Sequence, residues 1–206
     1  MTRPTVSYTV TIVDSVTNVP PPNLSVRACD DVDTTCARPV APATGLSADG
    51  RVRLSLARGF DGYFDIQAAN ILPTRLYPDG TLEDDQDGAT LELIDAVSAM
   101  GLASAAGLDL LADTGLVLAR GFDCDGELSS GIEFESATGG LAFAFIDGLP
   151  IQSATTGNEG LVLFANVPKG FTLLRGTLAA NQKPMGSSTA ESVPGSVVYA
   201  DVRPSP

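Results

Sequence analysis

Residues 5–12 read Thr5-Val6-Ser7-Tyr8-Thr9-Val10-Thr11-Ile12, an alternation that puts Val6, Tyr8, Val10 and Ile12 on one face and Thr5, Ser7, Thr9 and Thr11 on the other. Successive side chains of an extended chain project to opposite faces, so this period of two describes a strand that is buried on one side and wetted on the other. Working outward, Pro20-Pro21-Pro22 cannot donate ladder hydrogen bonds, and residues 18–23 are a turn or an edge crossing. Leu24, Val26 and Ala28 resume the alternation as far as Cys29. Ala48-Asp49-Gly50 signals a tight turn, after which Val52, Leu54 and Leu56 face one way and Arg51, Arg53 and Ser55 the other. Gly59-Phe60-Asp61-Gly62-Tyr63-Phe64-Asp65-Ile66 adds a turn and an aromatic strand, and residues 72–78 close the unit as an edge strand.

Residues 79–88 form the most polar stretch, carry five carboxylates and read as a linker. From Leu91 to Ala112 the pattern changes to Ala and Leu, with Leu93, Val97 and Met100 at helical spacing; this predicts one helix, broken at Gly101 or Gly107. Strands return at 116–120, 131–135, 141–145, 161–164, 172–178 and 196–203. They are divided by turn signals such as Asp125-Gly126, Gly139-Gly140, Asp147-Gly148-Leu149-Pro150 and Pro168-Lys169-Gly170. Six short strands at this spacing predict a sandwich. The expectation is a mainly β protein with two antiparallel β-sandwich domains, residues 1–80 and 114–206, joined over 81–113 by the acidic linker and a short helix.

Composition narrows the function. The 206 residues suffice for two domains of ordinary size, and a hydrophobic share of 44% allows each a core. No apolar run approaches the roughly 20 residues of a membrane helix, so membrane insertion by this chain itself is not expected. The start, Met1-Thr2-Arg3-Pro4-Thr5, has no apolar signal segment; an exported form would carry its leader, and a lipid anchor, outside this sequence. A net charge of −13 repels nucleic acid and anionic lipid, both of which bind through Lys and Arg. Histidine is absent, which removes the commonest general base, the commonest transition-metal ligand and every Ser-His or Cys-His pair.

Cys29 and Cys36 stand seven residues apart across a polar loop, a spacing that a disulfide readily closes, and a disulfide implies an oxidising compartment. A metal reading would need thiolate or His partners and finds only Cys124, far along the chain. Cys124 is then the odd cysteine, expected to be buried as a small apolar group.

Two constellations invite a ligand. Asp79, Glu83, Asp84, Asp85 and Asp87 could converge on calcium, although they lack the EF-hand spacing and equally suit a solvated linker. Phe60, Tyr63 and Phe64, with Phe143 and Phe145, could present a stacking face to a sugar, or could be core. Asp123-Cys124-Asp125-Gly126 reads as a hairpin turn ahead of a metal loop. The 25 acidic residues guarantee chance carboxylate pairs, and none is marked as a glycosidase pair. Lys169 and Lys183 both lie in turns, a poor setting for Ser-Lys chemistry. No enzyme is expected.

Gly121-Phe122-Asp123-Cys124-Asp125-Gly126, Ser130-Gly131-Ile132-Glu133-Phe134, Thr155-Thr156-Gly157-Asn158-Glu159-Gly160-Leu161 and residues 164–171, Phe-Ala-Asn-Val-Pro-Lys-Gly-Phe, resemble phrases of the carboxypeptidase regulatory-like domains. The first unit looks like a shorter domain of the same kind, and the tandem resembles envelope lipoproteins of myxobacteria and relatives. The resemblance implies Ig-like, transthyretin-like sandwiches displayed on a cell envelope or secreted. Intradiol dioxygenases share a related sandwich but hold iron through two Tyr and two His, chemistry closed to a chain without His. Related surface domains cross-link Lys to Asn in the core; the first unit has no lysine, and Lys169 and Lys183 sit where exposure is expected. The expected role is a non-enzymatic adhesion or display module that takes an envelope protein or a glycan as partner. The alternatives are a carbohydrate-binding module and a structural subunit of an envelope assembly, since fold alone does not decide between them.

Overall fold

The structure is a computed structural model and describes residues 4–47, 51–88 and 90–204. Strands take up 53% of the chain and helix 5%, so the protein is mainly β. The chain divides into two compact units, Met1–Ala96 and Val97–Pro206.

The first unit contains β1 (Thr5–Asp14), β2 (Ser25–Asp30), β3 (Ala41–Thr44), β4 (Arg51–Ala57), β5 (Gly62–Gln67), β6 (Thr74–Tyr77), β7 (Gln86–Asp87) and β8 (Leu91–Leu93). One sheet is centred on β1, which runs antiparallel to β4 and parallel to β7 and then β8. The opposite sheet has the order β3-β2-β5-β6, antiparallel throughout. The sheets meet where Tyr8 of β1 stacks on Phe64 of β5, with ring centroids 4.5 Å apart. Cross-strand partners share a face, and the register pairs Val6 with Leu56, Tyr8 with Leu54 and Val10 with Val52, all buried. Each such side chain contributes about 1.5–3 kcal/mol by leaving water. The Ala48-Asp49-Gly50 turn and the start Met1-Thr2-Arg3 lie outside the described residues.

The acidic stretch expected as a linker is built into this unit. Leu82 is buried and bridges Phe60, Gln86 and Asp87 pair with Tyr8 and Thr9, and Leu91–Leu93 pairs with Ile12–Asp14. A single apolar residue among carboxylates gives no period to read; Leu82 becomes core because the open side of β1 and Phe60 supply a place for it.

Most of the second unit is strand: β9 (Thr114–Gly121), β10 (Ile132–Ser136), β11 (Leu141–Ile146), β12 (Leu149–Gln152), β13 (Leu161–Pro168), β14 (Gly170–Leu178), β15 (Lys183–Ser192) and β16 (Val197–Val202). Within the unit, one sheet follows β12-β11-β13-β9-β16 and the other β10-β14-β15. They face each other across Gly121 and Gly176. A side chain at Gly121 would collide with Ile132, and one at Gly176 would meet Phe134, Ile132 and Val202.

The helix is shorter than its pattern suggests. It spans α1 (Ala96–Ala105), because Leu91 and Leu93 alternate with exposed Glu92 in β8, and Asp95, a residue type suited to N-caps, stands just before it. Gly107 ends it at φ 66, with the Leu108 N–H donating to the Ala103 carbonyl at 2.8 Å. Val97 and Met100, placed on its apolar face by sequence, are exposed.

The two units share a plan. In each, the first strand lies between an antiparallel neighbour and the last strand, which runs parallel to it: β4-β1-β8 and β13-β9-β16. Opposite lie β2-β5-β6 and β10-β14-β15. The units differ in their third strand, since β3 joins β2 whereas β11 joins β13 and adds β12 by a hairpin.

Candidate functional site

A tightly constrained exposed feature of the first unit is the loop between β2 and β3. Cys29 ends the buried run of β2, and a disulfide joins it to Cys36 with Cα atoms 5.3 Å apart. Between them the chain is tied from inside. The Tyr63 hydroxyl donates to the Asp33 carbonyl at 2.7 Å, the Cys36 N–H donates to the same oxygen at 2.9 Å, and Arg75 donates to the Thr34 carbonyl. Arg75 also lies over the Tyr63 ring, 4.6 Å from its centroid, and Tyr63 stacks on Tyr77 at 5.3 Å. Outside, the Asp33 carboxylate accepts from the Arg38 N–H at 2.8 Å and from the Thr35 hydroxyl at 3.1 Å.

These ties hold the backbone while leaving the tip in solvent. Val32 is 83% exposed, between exposed Asp31 and half-buried Asp33. The N–H of Arg38 beside Asp33, with that of Ala37, holds its carboxyl below the usual aspartate range. The Asp30 carboxylate, which accepts a hydrogen bond from the protonated Asp31 carboxyl, pushes the Asp31 carboxyl up, with some loss of hydration and the nearby Asp61 carboxylate acting in the same direction. The loop thus presents an apolar tip inside an acidic field, on a backbone with few conformations to lose on binding.

The five carboxylates weighed for calcium take other partners. Glu83 and Asp84 lie 3.2 and 3.7 Å from Arg58, Asp87 lies 3.2 Å from Arg51, and Asp85 accepts the Ser7 N–H at 2.7 Å. Asp79 is half-buried and also engaged. Among the described residues no three His, Cys, Asp or Glu side chains are grouped so as to hold a metal ion.

The aromatic face considered for a sugar is core: Phe60, Tyr63 and Phe64 are all buried, as are Phe143 and Phe145. Phe64 packs between Tyr8 and Phe60 inside the sandwich, while Tyr63, on the opposite face of β5, is buried under the cystine loop beside Tyr77 and Arg75. Cys124, expected in the core, is exposed. The Asp123 carboxylate accepts the N–H groups of Asp125 and Glu127 at 2.9 and 3.0 Å, and this turn swings Cys124 outward. Lys169 and Lys183 are exposed.

Sequence reasoning missed two features of the second unit, although Asp147-Gly148 signals the turn of the second. The Arg120 guanidinium donates to both oxygens of Asp201 at 2.6 and 2.9 Å, with both side chains almost wholly buried. Arg120 also lies 5.5 Å from the Phe122 ring and 5.7 Å from that of Tyr199. The other is the β11–β12 hairpin, where Ile146, Leu149 and Ile151 are exposed. Its two-residue turn, Asp147-Gly148, takes φ values of 53 and 74, the left-handed pair that a tight hairpin requires.

No family model matches the chain, and no curated protein matches it. Among solved structures, it is similar to the Bacillus anthracis TIE protein, with 12% identity over 98% of this chain and 34% of that one, at a TM-score of 0.32. It is similar also to a Streptococcal ancillary pilin, with 13% identity over 98% of this chain and 63% of that one, TM-score 0.29. A third is the minor pilin of Streptococcus agalactiae, at 9% identity over 98% of both chains and TM-score 0.32. The chain spans about a third of the first of these proteins and less than two thirds of the second.

Proposed function

We propose that the chain is a non-enzymatic surface or secreted module that presents the Cys29–Cys36 loop to a protein partner in the cell envelope. The observation that carries this reading is the loop itself, covalently closed, hydrogen-bonded from beneath by Tyr63 and Arg75, and open to solvent at Val32. A preorganised backbone lowers the ordering cost of binding, and the acidic surround favours a partner with a basic rim. The disulfide favours an oxidising compartment. The absence of His and the engagement of the acidic stretch with Arg and backbone groups support a non-catalytic role. On this reading the units are regulatory-like, transthyretin-like sandwiches of the kind their phrases resemble. Chemical cross-linking in an envelope extract, compared between the native chain and Asp31→Asn/Val32→Ser, tests it. Loss of a specific cross-linked product in the variant is expected, and an unchanged set of products refutes the loop as the binding element.

A second reading, as a structural subunit of an envelope assembly, is favoured by the β11–β12 hairpin. Leu149 and Ile151 stand exposed on the outermost strand of their sheet beside Ile146. Sedimentation of native chain against Leu149→Lys at raised concentration separates the readings, since only this one predicts self-association that the lysine abolishes.

A further inference from the structure

We infer that the second unit is built to carry tension along the chain, with the β9–β16 pair as the element that resists it. The chain enters the unit's sheets at the start of β9 and leaves them at the end of β16. These strands are parallel neighbours with six residues in register, from Leu116 opposite Val197 to Gly121 opposite Val202. Parallel pairing sets the entry and exit at opposite ends of the pair. A pull on the two ends therefore slides one strand along the other and loads all its hydrogen bonds together. An antiparallel terminal pair would have both ends at one side and would open one bond at a time.

Three features oppose sliding. A slip of one residue, about 3.3 Å, exchanges the two faces of β16, moving Val198, Ala200 and Val202 away from the opposing sheet. The same slip separates Arg120 from Asp201, which sit side by side near the end of the pair, and leaves two buried charges without partners. On its other side β9 is held by β13, from Arg120 opposite Leu161 to Thr114 opposite Pro168, and so cannot peel away. The first unit repeats the arrangement in weaker form. Its parallel contacts are split into two residues of β7 and three of β8, with Gly88 lying between them.

The test is single-molecule pulling on the full chain carrying Cys124→Ser, with handles on introduced cysteines. Asp113→Cys with Pro204→Cys loads the β9–β16 pair in shear; Asp113→Cys with Pro194→Cys loads its near end and unzips it. The rupture force in shear is expected to exceed the unzipping force by about threefold or more at equal loading rate, because several hydrogen bonds must break within one bond length. Equal forces overturn the inference. A second variant, Arg120→Met with Asp201→Leu, removes the charges while filling the space. Once shown to be folded by denaturant titration, it is expected to rupture at lower force in shear and at an unchanged force in unzipping. An unchanged shear force removes the ion pair from the mechanism.

Discussion

The Tyr63 hydroxyl reaches across from β5 to donate to the carbonyl of Asp33, 2.7 Å away, and so ties the exposed cystine loop to the core of the first unit. Tyr63→Phe keeps the ring and removes this bond. The Asp33 carbonyl still accepts from Cys36, so the expected loss is about 0.5–1.5 kcal/mol in urea denaturation. Amide hydrogen exchange should quicken at Cys36 while β1 and β4 keep their protection. Quickening spread evenly over the first unit would refute a local tie.

Removing the disulfide by Cys29→Ala with Cys36→Ala is expected to cost about 2–3 kcal/mol, the loop-closure value for so short a ring. Denaturant midpoints should then match those of the native chain under reductant. A loss near zero would refute loop closure as a source of stability here.

Arg120→Ala strands the Asp201 carboxylate among buried residues, and the expected loss is about 3–5 kcal/mol. Replacing both partners, as in Arg120→Met with Asp201→Leu, should cost far less. The comparison is read from urea midpoints, and a single variant no worse than the double would refute an uncompensated charge as the cause.

Acid titration should separate the aspartates. The Thr17 N–H beside Asp14 and the Arg38 N–H beside Asp33 hold these carboxyls below the ordinary value of about 3.9. Their contribution to stability is complete above that value and is lost as pH falls through the lower folded values, because the unfolded chain takes up those protons first. Asp31 has the opposite sign. Its folded form holds the proton more tightly, so it contributes stability when protonated and loses it as pH rises through the raised value. Side-chain carboxyl NMR should place Asp14 and Asp33 below, and Asp31 above, the ordinary midpoint; Asp31 titrating with Asp33 would contradict the Asp30 hydrogen bond.

Cys124 is the exposed thiol, and Cys29 and Cys36 are bonded to each other. Iodoacetamide should add one label per native chain, at Cys124, and three after reduction and unfolding. A native chain that resists labelling would restore the buried position expected from sequence.

Much of the fold was legible in the order of residues. Val6-Tyr8-Val10-Ile12 and Val52-Leu54-Leu56 place β1 and β4, since strict alternation over seven and five residues leaves one face to bury. Other strands carried no such signal. β15 contains Pro184, Gly186 and three serines, and the register shift between Gly176 and Thr177 breaks its alternation. β12 was read as part of a turn because Pro150 follows Leu149, yet proline is tolerated on the outermost strand of a sheet. The site was legible in one respect, the pairing of Cys29 with Cys36. Its support by Tyr63 and Arg75 was not, because residues some thirty to forty positions apart meet only when β5 and β6 are laid beside β2.

The strand-rich class, the acidic field, the absence of histidine chemistry and the short covalent loop are all written in the order and kinds of residues. These follow from local periodicity and composition, which need no knowledge of neighbours. Only packing made Leu82 and Leu91–Leu93 part of the first unit, buried Phe60, Tyr63 and Phe64, turned Cys124 out and brought Arg120 to Asp201. The physical reason is that burial and ion pairing belong to pairs of elements: β9 and β16 are some eighty residues apart in the chain, and only their parallel register brings the two charges together.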